Sequence, residues 1–113
     1  MVIDGNVIAI GSLNQLKSGT AVLTIKVLHK AYNPQARKFT GQIVYDVELR
    51  KQLAENAHAS LQVGDDVLID ADEHGLTAST YTDSHGETHP VVRGATARSL
   101  GISIRSEAMP LNE

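Results

Sequence analysis

Arg50–Asp72 reads R-K-Q-L-A-E-N-A-H-A-S-L-Q-V-G-D-D-V-L-I-D-A-D. Leu53, Ala57 and Leu61 recur at every fourth position, which puts them on one face of a helix. Lys51, Gln52, Ala54, Glu55 and Ala59 are good helix formers, and no proline interrupts them. Val63-Gly64-Asp65 is expected to end the helix, glycine taking the left-handed turn that a side chain resists. A strand is expected at once, with Val67, Ile69 and Ala71 on one face and Leu68, Asp70 and Asp72 on the other. A single short helix feeding a strand, in a chain otherwise written in strands, predicts a small antiparallel barrel with the helix plugging one end.

The flanking sequence supplies those strands. Val7–Gly11 is a short apolar run ending in glycine, and Ser12–Gly19 reads as a loop. From Ala21, the series Ala21, Leu23, Ile25, Val27 alternates with Val22, Thr24, Lys26, Leu28, giving a second strand to about Lys30. Ala31–Gly41 carries proline, asparagine and glycine and reads as a loop or the tip of a long hairpin. In the third strand Ile43, Tyr45, Val47 and Leu49 face the core, while Val44, Asp46, Glu48 and Arg50 face outward. After Asp72, His74-Gly75 marks a break or bulge. Leu76–Thr82 resumes extended character, Asp83–Glu87 reads as a turn, and Val91–Ile104 reads as a last strand bent near Gly94 and Gly101.

Three strands, one helix and two strands is the order of the OB-fold, a five-stranded all-β barrel that binds oligonucleotides on one face. The expected division is a domain over residues 1–105 and a flexible tail over 106–113. At 113 residues and 42% hydrophobic content there is material for one domain with a core of its own. Cysteine is absent, which removes disulfides and thiolate metal sites. The N-terminus does not read as a signal peptide and no run reaches membrane-spanning length, so a cytoplasmic location is expected, with no membrane partner.

The net charge of −3 hides a segregation. Lys26, Lys30, Arg37, Lys38, Arg50 and Lys51 stand against only Asp46 and Glu48 in their segment. From Asp65 to Glu87 there are seven acids and no Lys or Arg. One region is therefore expected to attract an anion.

Four stretches carry a resemblance: Gly5–Gly11, Leu53-Ala54-Glu55, Val63–Ile69 and Tyr81–Glu87. In order and spacing they resemble the bacterial single-strand DNA-binding proteins, over most of the chain from about Gly5 to about Ile104. The resemblance implies an OB-fold assembled as a homodimer or homotetramer, with single-stranded DNA stacked on aromatic side chains. It places stacking aromatics at Tyr32 and Tyr81. It also implies work in DNA replication, recombination or repair. The chain departs from the pattern in lacking aromatics at Val44 and Arg50, in a shorter Ser12–Gly19 loop, and in ending Pro110-Leu111-Asn112-Glu113 rather than in an acidic phenylalanine-bearing tip. It reads as a divergent member.

Single-strand binding needs flat side chains to stack bases and cations to hold phosphates. Lys30-Ala31-Tyr32 and Arg37-Lys38-Phe39 bring both within one hairpin. The expected DNA-binding residues are Lys26, Lys30, Tyr32, Arg37, Lys38, Phe39, Arg50, Lys51 and Tyr81, with Tyr45 assigned to the core. No catalytic residue is expected: there is no nucleophile elbow and no glycine-rich phosphate cradle. No cofactor, metal or small-molecule substrate is expected either. His74, His85 and His89 with Asp83 lie near one hairpin, and their spacing in a turn has no ligating geometry. Two rivals stand beside this reading. One is an OB-fold protein-interaction module of the primosome-accessory type. The other, more remote, is a metal-dependent enzyme using the hairpin histidines.

Overall fold

A computed structural model describes residues 1–102; the side chains of residues 31–33, 39, 40 and 74 lie outside that description. The elements run β1 (Val2–Ile10), β2 (Asn14–Gln15), β3 (Ala21–Asn33), β4 (Lys38–Arg50), α1 (Lys51–Ser60), β5 (Asp66–Thr82) and β6 (Thr88–Ile102). The expected order of three strands, a helix and two strands is present. The two-residue β2 inside the expected loop is an addition, pairing Asn14 with Val22 and Gln15 with Ala21.

The sheet runs β1-β5-β6-β4-β3-β2, and β1 also pairs with β3, which closes it into a barrel. Every pairing is antiparallel except β4 with β6. Closure with one helix between the fourth and fifth of these strands is the OB-fold architecture. The alternation read from sequence fills it. Leu23, Ile25 and Val27 of β3, Val47 and Leu49 of β4, and Val67, Ile69 and Ala71 of β5 are buried in one cluster with Ile3 and Val7. No polar or charged residue is buried among the described residues. Tyr45 is half-buried and packs against this cluster. Helix α1 lies on β3 and β4, with Ala54, Ala57 and Leu61 buried beneath it.

Three local expectations are corrected. The first strand starts at Val2, not Val7. Gly5 lies inside it because a Cβ there would sit 2.3 Å from the Leu28 carbonyl oxygen. That glycine is a close approach of two backbones, which reads from sequence as punctuation. The helix stops at Ser60, before Gly64; Leu61 is already extended (φ −81°, ψ 141°), and its N–H donates to the Ala57 carbonyl at 2.7 Å. Leaving helical backbone there lets the Leu61 side chain enter the core. Gly64, at φ +103°, serves the following turn, and its N–H donates to the Val7 carbonyl at 2.8 Å.

Val44, expected to face outward, is buried opposite Val91 in the β4–β6 seam. The Val7–Gly11 run lies partly at an edge of the sheet. The Val7 N–H donates to the Asp65 carbonyl at 2.9 Å while Val7 also pairs with Val27. Among the described residues, from Ile8 to Ile10 the register leaves β1 with β3 as its one neighbour.

Candidate nucleic-acid interface

The outward positions of β4 run Asp46, Glu48, Arg50, because Val47 and Leu49 between them point into the core. Antiparallel β3 brings Lys26 directly opposite Asp46 and Thr24 opposite Glu48. On the other side β6 runs parallel, and its register slips: Tyr45 and Val47 face Val92 and Ala95, so β6 carries an extra residue at Arg93-Gly94. Gly94 takes φ +101° there. This bulge turns Arg93 onto the outer face, where its Nε donates to Asp46 Oδ2 at 2.9 Å. Thr24, Asp46, Glu48, Arg50, Arg93 and Thr96 thereby line an open groove of about 570 Å³.

The groove's charges are paired. Lys26 Nζ lies 2.6 Å from Asp46 Oδ1, and Arg50 Nε lies 2.6 Å from Glu48 Oε1. The cationic surplus counted along Lys26–Lys51 is therefore smaller on this face than in the sequence, since both acids of the segment stand among the cations. Two acids of β5, Asp70 and Asp72, are likewise met. Arg98 bridges Asp70 and Asp72, each at 2.9 Å. Its hydrogen bond holds the Asp70 carboxyl below the ordinary range, and Asp70 raises Arg98 in turn.

The remaining expected residues lie on two hairpin arms. β3 and β4 pair out to Asn33 with Lys38, leaving only residues 34–37 as the turn. The expected strand end at Lys30 thus moves to Asn33, because the turn needs only four residues. Arg37, at φ +54°, and Lys38 are exposed at that tip. The backbones of Tyr32 and Phe39 are register partners there; their side chains lie outside the described residues. Lys30 stands opposite Gln42 beside a smaller groove with Asp4, Asn6, His29 and Asp66. Lys51 is exposed where α1 begins, at φ +58°.

The β5–β6 arm carries Tyr81, 37% exposed, its ring centroid 5.2 Å from that of His89. His89 ties this arm to the other. Its Nε2 lies 2.7 Å from Asp83 Oδ2, and its Nδ1 lies 2.9 Å from the Gln42 amide nitrogen. A neutral ring that donates from Nε2 and accepts at Nδ1 satisfies both partners. Asp83 Oδ1 also accepts from the backbone N–H groups of His85 and Glu87, at 2.8 and 3.0 Å. The His89 bond and these backbone donors hold the Asp83 carboxyl below the usual carboxylate range.

Two arms joined at Gln42 and His89 thus extend the groove at one end, with Tyr81 beside the join. Of the sequence-expected set, the structure brings Arg50 onto the groove, holds Lys26 at its border through Asp46, and separates Arg37, Lys38 and Tyr81 onto the arms. Lys51 stands apart at the helix start. Arg93 was missed. The signal for it was Gly94, since a glycine inside a strand marks a bulge that re-aims its neighbour. The hairpin histidines divide: His89 and Asp83 meet and Glu87 joins them, with ligand atoms within 4.8 Å of one another. His85 takes part through its backbone N–H, and the His74 side chain lies outside the described residues.

Among the described residues no helix is long and apolar enough to cross a membrane. No protein-family sequence pattern matches the chain, and comparison with characterised proteins finds no similar sequence. Among solved structures, the chain is similar to the small single-stranded DNA-binding protein from Streptomyces coelicolor. The TM-score is 0.61 at 23% identity, over 92% of this chain and 93% of that one. At that identity the likeness establishes the fold, and the chain is an OB-fold barrel.

Proposed function

We propose that this protein binds single-stranded DNA with little regard to sequence and carries out no reaction of its own. The observation that carries the reading is the groove across β3, β4 and β6, lined by Arg50 and Arg93, bordered by Lys26 through its ion pair with Asp46, and prolonged by two arms that bear Arg37, Lys38 and Tyr81. Cations in the groove gather the phosphodiester backbone, and Tyr81, Tyr32 and Phe39 stack bases beyond it. Lys30 and Lys51 add attraction at its margins. A structural neighbour of the same fold is named for single-stranded DNA binding, which supports the assignment. Work in DNA replication, recombination or repair, a cytoplasmic location, and assembly into a homodimer or homotetramer complete the proposal.

Titration of fluorescent oligo-dT at two salt concentrations tests it. Affinity falls steeply with salt, by about 0.7 in the logarithmic slope for each phosphate contact. Duplex of equal length binds much more weakly, its bases being already stacked. Salt-independent binding, or equal binding of duplex, overturns the reading.

One observation favours the rival, an OB-fold module that docks a protein partner. Lys26, Arg50 and Arg93 are all engaged by carboxylates on the groove face, and among the described residues no aromatic lines it. No measurable binding of oligo-dT at low salt would turn the assignment to that rival.

A further inference from the structure

Asp46 lines the groove. Its two carboxylate oxygens hold different cations, Oδ1 taking Lys26 at 2.6 Å and Oδ2 taking Arg93 at 2.9 Å. The side chain of Asp46 is 15% exposed, whereas Lys26 and Arg93 are 44% and 58% exposed. The carboxylate therefore lies low in the groove and the cations reach over it from the strands on either side. At the next outward position of β4, Glu48 Oε1 holds Arg50 of the same strand at 2.6 Å.

We infer that Asp46 is a built-in competitor for the phosphodiester backbone, a carboxylate that occupies Lys26 and Arg93 until a phosphate displaces it. The inference rests on the single-strand reading and specifies how that groove sets its affinity. Phosphate and carboxylate oxygens accept the same donors, so a strand entering the groove exchanges one partner for another. Ion pairs on an exposed face are individually weak, which makes the exchange easy. It is still not free. The displaced carboxylate is left under the incoming phosphate, and like charges at that range repel. Asp46 thereby lowers the number of phosphates the groove takes up and leaves the strand easier to release.

The test compares Asp46→Asn with wild type and with Asp70→Asn. Asparagine keeps the shape of Asp46 and one acceptor oxygen while removing the charge. Asp70 pairs with Arg98 outside the groove, so Asp70→Asn makes the same change in net charge from −3 without touching the triad. In oligo-dT titrations at low salt, Asp46→Asn binds about three- to tenfold more tightly than wild type, the loss expected from one or two surface ion pairs. Its logarithmic salt slope steepens by about 0.7 to 1.4, one or two added phosphate contacts. Asp70→Asn stays at the wild-type value. Equal gain by both variants assigns the effect to net charge and overturns the inference. So does unchanged or weaker binding by Asp46→Asn, the weaker case making the carboxylate a positioning residue for the cations. Failure of wild type and Asp46→Asn alike to bind any single strand removes the functional reading itself, and this inference with it.

Discussion

Tyr81 and Tyr45 show how little the identity of a residue decides without its surroundings. Tyr45 leans on the core cluster from an inward position of β4, and Tyr81 stands open beside His89 on an arm. Replacing Tyr45 by alanine removes packing under a half-buried ring and is expected to cost about 2 kcal/mol in urea denaturation, below the range for fully buried aromatics. Tyr81→Ala should leave the melting temperature within a degree or two of wild type and weaken oligo-dT binding by about 1–3 kcal/mol, the worth of one stacked base. Stable Tyr45→Ala with lost binding, beside an unstable Tyr81→Ala, would reverse the two roles. The acids make a separate prediction. Asp70 and Asp83 have folded-state carboxyls held below their ordinary values by Arg98 and by His89. Their stabilisation is complete at neutral pH and is lost as pH falls below about 4, through the unfolded and then the folded values. Denaturant melts at pH 3 and pH 7 should therefore differ less in an Asp70→Asn, Asp83→Asn double variant than in wild type.

At the scale of the element, the core alternation of β3, β4 and β5 was legible except at Val44, because a two-residue period with β-branched side chains has one good solution on a half-buried sheet. What was not legible is where two chains meet backbone to backbone. Gly5 looks like a break in sequence and is the tightest crossing of β1 over β3. Gly94 looks like a bend and is the bulge that delivers Arg93. Charge was misread for a related reason. A running sum cannot show that Asp46 faces Lys26 across a ladder, although both positions were visibly outward. The backbones of Tyr32 and Phe39 share a rung, a consequence of the hairpin running further than its proline and asparagine implied. Gly5→Ala tests the crossing. Its Cβ would meet the Leu28 carbonyl oxygen at 2.3 Å and the Val27 side chain at 2.9 Å, so β1 and β3 must separate. A loss of about 3 kcal/mol is expected, the upper end for overpacking, read as a lowered urea midpoint with unchanged slope. A loss under about 1 kcal/mol would mean that the crossing yields without strain.

For the whole molecule, closure removes most strand edges and leaves two surfaces that water covers poorly. One is the stretch Ile8–Ile10, where β1 has β3 on one side and no strand on the other among the described residues. The second is an apolar face across β1, β5 and β6, where Val2, Leu68 and Ile102 are 66%, 51% and 60% exposed around a shallow groove of about 410 Å³. An open edge pairs readily with another strand, and an exposed apolar patch is normally an interface. Each suits a second copy of the chain, since a surface that meets itself about a two-fold axis needs only self-complementarity. One such contact gives a dimer, and two different ones give a closed tetramer. We therefore expect light scattering at tens of micromolar to report a tetramer that Leu68→Glu reduces to a dimer, the charge disrupting the apolar face while leaving the β1 edge intact. The position is exposed, so the variant should melt as wild type does once corrected for its assembly. A dimer in wild type that Leu68→Glu leaves unchanged would restrict assembly to the β1 edge. A dimer converted to monomer would restrict it to the apolar face. A wild-type monomer would remove both contacts, and the groove would then bind each strand with one barrel alone.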